Sequence, residues 1–189
     1  PAPQDGCRSM TDDELFPLRR LPQASPPSAG PLGVAVDLGT TSVSLTLWDI
    51  PEGRRLAART APNRQNRYGA DVLTRLTAAV ESTEQADELA ALAHQTVGGL
   101  LDDIAARDGV DLSRVGRVVI AGNTAMLALL SGRGYELLMK PQYWARPVPC
   151  RPGDTGQWGR EWRIAPQAEV ELLAPLAGFV GSDLLAGIA

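Results

Sequence analysis

The chain is poor in the residues that hold metals and clusters. Its 189 residues include two cysteines, Cys7 and Cys150, and one histidine, His94. Two thiols cannot supply the four ligands of an iron–sulfur cluster, nor build a structural zinc site. A disulfide between them stays open as an arrangement, but free thiols in a reducing cytoplasm are the expectation. His94 falls in the middle of a helical pattern and reads as a surface or packed side chain rather than a catalytic one. No apolar run approaches the length needed to cross a bilayer. No basic stretch followed by an apolar one stands at the start, so secretion is not expected. An excess of positive charge is missing too. Eighteen Lys and Arg face 22 Asp and Glu, for a net charge of −4. The basic residues are scattered, whereas a nucleic-acid backbone demands them clustered. The first residue is Pro1 rather than methionine, so a processed start or a piece of something longer is expected.

What is present is enough apolar side chain, 44% of the residues, for one well-buried core. The most informative stretch runs from Gly33 to Asp49, GVAVDLGTTSVSLTLWD. Val34, Val36 and Leu38 alternate before a short turn, and Val43, Leu45 and Leu47 after it, which predicts two half-buried strands of a hairpin. Asp37, Gly39, Thr40, Thr41 and Ser42 cluster at the turn. Glycine lets a ligand approach the backbone, and hydroxyls donate at close range, as a phosphate requires. An aspartate would repel a bare phosphate, so Asp37 points to Mg²⁺ held through water. An ordinary hairpin with Thr and Ser chosen for strand propensity is the plainer alternative.

This pattern resembles the first phosphate motif of the superfamily of sugar kinases, Hsp70 chaperones and actin. Three further segments, NRQNRYGADVLTRL (Asn63 to Leu76), GNTAM (Gly122 to Met126) and GFVGSDLLAGIA (Gly178 to Ala189), look like successive landmarks of one branch. That branch is the ATP-dependent reductive activators of corrinoid proteins. The resemblance covers Gly33 to Ala189 and is weakest between Lys140 and Ala168. It implies an α/β fold of the ribonuclease-H-like kind, a mixed sheet that opens with a three-stranded antiparallel meander and is flanked by helices.

Residues 1–31 are rich in proline and read as a linker along the domain surface, with a short helix opening at Thr11 to Glu14 that Pro17 stops. Residues 32–189 read as the N-terminal lobe of an actin-like ATPase domain. Arg54 to Thr60 is expected as the third strand, and Pro62 to Tyr68 as a polar loop. A helix follows from Gly69-Ala70-Asp71 through Glu81, with Val72, Leu73, Leu76 and Val80 on one face. A longer helix from Thr83 to Arg107 carries Leu89, Leu92, Val97, Leu100, Leu101 and Ile104, and Gly98-Gly99 predicts a kink or close packing in it. Val115 to Ala121 reads as a buried strand, with Gly122-Asn123-Thr124 leading into a helix over Ala125 to Leu130. Ligands of open α/β sheets bind at such corners, which makes Asn123 and Thr124 site candidates, although both also suit simple capping. Tyr143, Trp144, Trp158 and Trp162 lie in an irregular stretch, as loop anchors or as a docking surface for a partner. Val170 to Leu173 is expected as a strand. Asp183 then opens a small-residue helix, where it could be a cap.

The resemblance implies more. Asp183 would be a catalytic carboxylate that orients or deprotonates the nucleophile attacking the γ-phosphate, water in an ATPase. Asp37 would also be catalytic, placing Mg²⁺. Gly39, Thr40, Thr41 and Ser42 would hold the phosphates of ATP, with Asn123 and Thr124 beside them. The second half of the clamp, with its own acid-Gly-Thr hairpin, has no counterpart here, so this chain alone should bind ATP weakly and hydrolyse it poorly. The intact activator would return a corrinoid protein from Co(II) to Co(I), with electrons from an iron–sulfur domain outside this chain. A small-molecule kinase of the same fold and a non-catalytic interaction module are the alternatives. A cytoplasmic location is expected, and a homodimer stays open.

Overall fold

A computed structural model describes residues 28–182. The linker reading of residues 1–27, the short helix at Thr11, Cys7, and the helix opening at Asp183 lie outside the described residues. Five strands form one mixed sheet in the order β3-β2-β1-β4-β5. They are β1 (Leu32–Leu38), β2 (Ser42–Asp49), β3 (Arg54–Pro62), β4 (Val115–Gly122) and β5 (Glu169–Leu172). The first three run antiparallel as a meander, while β4 lies parallel to β1 and β5 parallel to β4. The expected opening of the fold is therefore present.

Period-two alternation sets the two faces of this sheet. The register pairs Val34 with Leu47, Val36 with Leu45 and Leu38 with Val43, and carries Val36 on to Ile120 in β4. All seven side chains are at most 3% exposed. Ala35, Asp37 and Trp48 point to the other face and are exposed. Because the buried strand faces line up across the sheet, they form one wall of the core and leave the opposite wall polar at its edge.

Helix α1 (Val72–Glu81) packs on α2 (Thr83–Asp108) and α3 (Thr124–Ser131), and α2 lies across β2 and β3. Short pieces α4 (Tyr135–Leu138) and α5 (Gly156–Glu161) follow. Each of the long helices starts on a side-chain cap that satisfies a free amide. Asp71 accepts from Thr74 N at 2.9 Å, Ser82 from Gln85 N at 3.3 Å, and Asn123 from Met126 N at 3.0 Å. Gly109 and Gly132 close α2 and α3 in the left-handed conformation, φ 66° and 65°, as glycine permits. The expected apolar stripe of α2, Leu89 through Ile104, is buried. The helix is α-helical through Gly98-Gly99, and Gly98 leaves room for the Trp162 ring, 3.3 Å from where a Cβ would sit.

Three expectations need correction. Leu73 and Val80 of α1 are 58% and 48% exposed, and the buried face is Arg75, Leu76 and Ala79. At about 100° per residue the four apolar residues share an arc of about 100°. The buried face, Arg75, Leu76 and Ala79, is rotated to one side of that arc, so Leu73 and Val80 fall at the rim. Hydrogen bonds from the Arg75 guanidinium make its burial tolerable. Pro62 to Tyr68 is not the expected polar loop: Arg64–Tyr68 forms a 3-10 turn capped by Asn63, whose side chain accepts from Gln65 N. The third strand continues to Pro62.

The irregular region is anchored through aromatics. Trp158 and Trp162 are buried and pack on His94 at centroid distances of 4.4 and 5.6 Å. Trp162 Nε1 donates to the His94 carbonyl at 3.2 Å, 68 residues away. At the other end, Ser28 donates N–H and hydroxyl to the buried Asp49 carboxylate at 2.6 and 2.8 Å. Among the described residues no helix is long and apolar enough to cross a membrane.

Candidate functional site

The site grows from the carboxyl ends of the two central parallel strands, β1 and β4. Asp37 is the penultimate residue of β1, exposed, and in register with Ser44 on β2 and Ala121 on β4. On the same face Ser44 Oγ and Thr60 Oγ1 share a hydrogen bond of 3.0 Å. The β1–β2 turn follows directly. A Cβ on Gly39 would lie 2.6 Å from the Ser42 carbonyl oxygen, so the turn closes this tightly only with glycine. Thr41 and Ser42 are exposed and Thr40 half-buried.

The corner after β4 meets that turn. A Cβ on Gly122 would come 2.7 Å from the Leu38 carbonyl oxygen, so the two strand ends are in close contact. Asn123 works in two directions. Its side-chain oxygen caps α3, and its Nδ2 donates to Thr40 Oγ1 at 3.0 Å. Thr124 is 1% exposed and donates to the Ala177 carbonyl at 2.7 Å, so its hydroxyl pins the 175–180 loop. Ser182 is fully buried. Its N–H donates to the Gly122 carbonyl at 3.0 Å, and its Oγ accepts from Gly122 N at 3.2 Å. The structure thus brings Asp37, Gly39, Thr40, Thr41, Ser42 and Asn123 together at one edge. Asp183 lies outside the described residues.

A group of amides in the segment expected as a polar loop supports the turn. Asn63 Nδ2 donates to the Gly39 carbonyl at 2.9 Å, and Asn63 N to the Thr41 carbonyl at 2.9 Å. Asn66 Nδ2 adds a bond to the same Thr41 oxygen at 3.2 Å. Asn63, Gln65 and Arg75 are all fully buried. Gln65 Nε2 reaches the Leu89 carbonyl at 2.9 Å, which joins the network to α2. The available signal was the density of amides at Asn63, Gln65 and Asn66, unusual for a solvent loop.

The donor chemistry of this edge fits Mg²⁺ bound outside a dedicated cage. Mg²⁺ keeps several waters and asks for one or two carboxylates plus phosphate oxygens. Asp37 is one exposed carboxylate beside hydroxyls. Among the described residues no group of three or more His, Cys, Asp or Glu could hold a metal by itself. A separate shallow depression beside α1, lined by Tyr68, Leu73, Thr74, Thr77, Ala78 and Glu81, includes none of the residues at the strand ends.

Comparison with known proteins gives three findings. The family model described as RACo middle region matches residues 32–189. The corrinoid activation enzyme RamQ of Eubacterium limosum is 27% identical over 157 residues, which span 82% of this chain and 26% of RamQ. A solved structure of a reductive activator for a corrinoid, iron-sulfur protein superposes with a TM-score of 0.69 at 28% identity, over 85% of this chain and 25% of that one. The chain thus spans about a quarter of the length of these relatives.

Proposed function

The chain belongs to the RACo middle-region family, with the fold of an actin/Hsp70/sugar-kinase lobe, and we propose that it is the phosphate-gripping lobe of an ATP-dependent activator of a corrinoid protein. The observation that carries the reading is the junction of the β1–β2 turn with the β4–α3 corner through Thr40 and Asn123. It gathers backbone amides, hydroxyls and one carboxylate at the strand ends, where α/β sheets take up ligands. The relatives named above are a corrinoid activation enzyme and a reductive activator for a corrinoid, iron-sulfur protein, and a corrinoid protein as partner is carried to this chain as part of the proposal.

Each residue then has a task. Backbone N–H groups and hydroxyls of Gly39, Thr40, Thr41 and Ser42 would bind the phosphates of ATP. Asn123 would fix Thr40 so that its hydroxyl does not have to be ordered when nucleotide arrives. Asp37 would hold Mg²⁺ through water, and the metal would neutralise phosphate charge. Asp183 would orient the attacking water. A second lobe, elsewhere on the polypeptide, would close on the nucleotide. Closure would favour the partner's reduced cobalt, Co(I), over Co(II). Electrons would come from an iron–sulfur domain outside this chain, in the cytoplasm.

The test uses the full-length protein, a chemical reductant and a Co(II) corrinoid protein, followed by visible absorption. Conversion to Co(I) should require ATP and should stop with Asp37→Ala. Reduction that proceeds equally without ATP would contradict the proposal. Phosphoryl transfer to a small-molecule acceptor would favour a kinase instead. Partner binding indifferent to both ATP and Asp37→Ala would favour a non-catalytic module.

A further inference from the structure

A buried cation lies behind the turn with an unusual set of partners. Arg75 is fully buried, yet its guanidinium makes no ion pair among the described residues. Nε donates to the Gly69 carbonyl at 2.9 Å, Nη2 to Asn66 Oδ1 at 2.5 Å, and Nη1 reaches Met126 Sδ at 3.3 Å. The Asp71 carboxylate favours the charge from a distance without closing a salt bridge. Every hydrogen-bond acceptor of the guanidinium is nonetheless neutral, so its burial is costly, and a leucine or methionine would fill the same space without that cost. Packing alone therefore does not account for an arginine here.

The chain of contacts leads to the turn. Asn66 accepts from Arg75 through Oδ1 and donates through Nδ2 to the Thr41 carbonyl at 3.2 Å. A charged donor on its oxygen holds the Asn66 amide in place and strengthens its donation. The peptide geometry carries the effect further. C=O and N–H of a trans peptide point in opposite directions in one plane. Holding the Thr41 oxygen on the Asn66 side aims the Ser42 N–H the other way, and holding the Gly39 oxygen on Asn63 does the same for the Thr40 N–H. A carbonyl polarised on one side leaves its own N–H a better donor on the other.

We propose that Arg75 is a positioning residue for the phosphate-binding turn, acting through Asn66 on the Thr41 carbonyl so that the Ser42 amide is pre-aimed at a nucleotide phosphate. It rests on the nucleotide reading above, and it assigns a task to a helix α1 residue that does not itself face the ligand.

The experiment is a double-substitution cycle in the full-length protein. Arg75→Lys keeps the charge but loses the planar fork that reaches Gly69 and Asn66 together. Asn66→Ala acts at an exposed position and removes the relay while leaving Arg75 its bonds to Gly69 and Met126. MgATP affinity is measured by calorimetry for the unsubstituted protein, each single variant and the double variant. Each single change should weaken binding about tenfold, and the double should be no weaker than the worse single, because both break one chain. Amide hydrogen exchange over residues 39–42 should quicken in both variants, with the β1–β4 ladder unchanged. MgATP affinity within twofold of the unsubstituted protein in Asn66→Ala, with unchanged exchange at the turn, would overturn the proposal, and so would fully additive losses. If Arg75→Lys does not fold, the Asn66→Ala affinity and exchange decide alone. If the unsubstituted protein binds no MgATP, the nucleotide reading falls. The exchange at 39–42 then decides by itself whether Arg75 holds the turn.

Discussion

Asn123 donates its side-chain amide to the Thr40 hydroxyl at 3.0 Å across 83 residues of chain, and with its other side-chain atom caps α3. One residue thereby ties the position of the β1–β2 turn to the start of a buried helix. The two roles separate experimentally. Serine at 123 keeps a cap but is too short to reach Thr40. Asn123→Ser should leave the melting temperature nearly unchanged while weakening nucleotide binding several-fold. Asn123→Ala should lose about 1 kcal/mol of stability in addition. Thermal melts and calorimetric titrations of the pair check this.

Gly122 ends β4 in register with Leu38 at the end of β1. A methyl there would meet the Leu38 carbonyl oxygen at 2.7 Å and Leu38 Cβ at 3.1 Å. Neither atom is the end of a flexible chain, so the strand ends must part. Gly122→Ala should destabilise by about 1–3 kcal/mol in urea unfolding, and should weaken nucleotide binding more than any stability-matched core change.

His94 is the single histidine. Burial lowers its pKa; the charge of Glu161 and a hydrogen bond with the Leu130 backbone push the other way without reversing it. The Nδ1 atom is buried with no hydrogen-bond partner, which suits a neutral ring. A histidine depressed in the folded state binds its proton more readily when unfolded. Stability is therefore fully present above the ordinary histidine pKa of about 6.5 and falls as pH drops from there toward the lower folded value. Melting temperatures from pH 7.5 to 5.5 should decline below about 6.5, and His94→Phe should flatten that limb. A flat profile in the unsubstituted protein would contradict the buried neutral ring.

Cys150 is buried and free, and burial pushes its pKa up to about 12. The thiolate is the reactive form. Alkylation at pH 8 should therefore be slow at Cys150 in the folded protein and complete after denaturation, as peptide mass mapping would record.

The hairpin was legible from sequence because a strand with one buried face writes its period directly into the order of residues. The same holds for α2, whose stripe of leucines is buried as expected. The face of α1 was not legible. Leu73 and Val80 count as core on apolarity, yet they are exposed, and Arg75 counts as surface, yet it is fully buried. Its burial depends on acceptors at Gly69 and Asn66 that only the folded chain brings near. Asn63 to Tyr68 escaped for the same reason. Its amides are satisfied by carbonyls at Gly39 and Thr41, 24 and 25 residues away for the side-chain bonds, and local pattern carries no such information. At the site, the acid-glycine-hydroxyl cluster was visible, whereas its supporting amides and the Thr40–Asn123 contact were not.

In the proposed function, the Asp37 end of β1 and the turn after it would hold a nucleotide with Mg²⁺. Calorimetric titration of the full-length protein with ATP, with and without Mg²⁺, tests it most directly when compared with the isosteric Asp37→Asn variant. With Mg²⁺, the variant should bind at least about tenfold more weakly, because the carboxylate that holds the metal's water is gone. Without Mg²⁺, the variant should bind at least as well as the unsubstituted protein, because a negative charge near the phosphates has been removed. Equal affinities in the presence of Mg²⁺, or no ATP binding by the unsubstituted protein, would contradict the account.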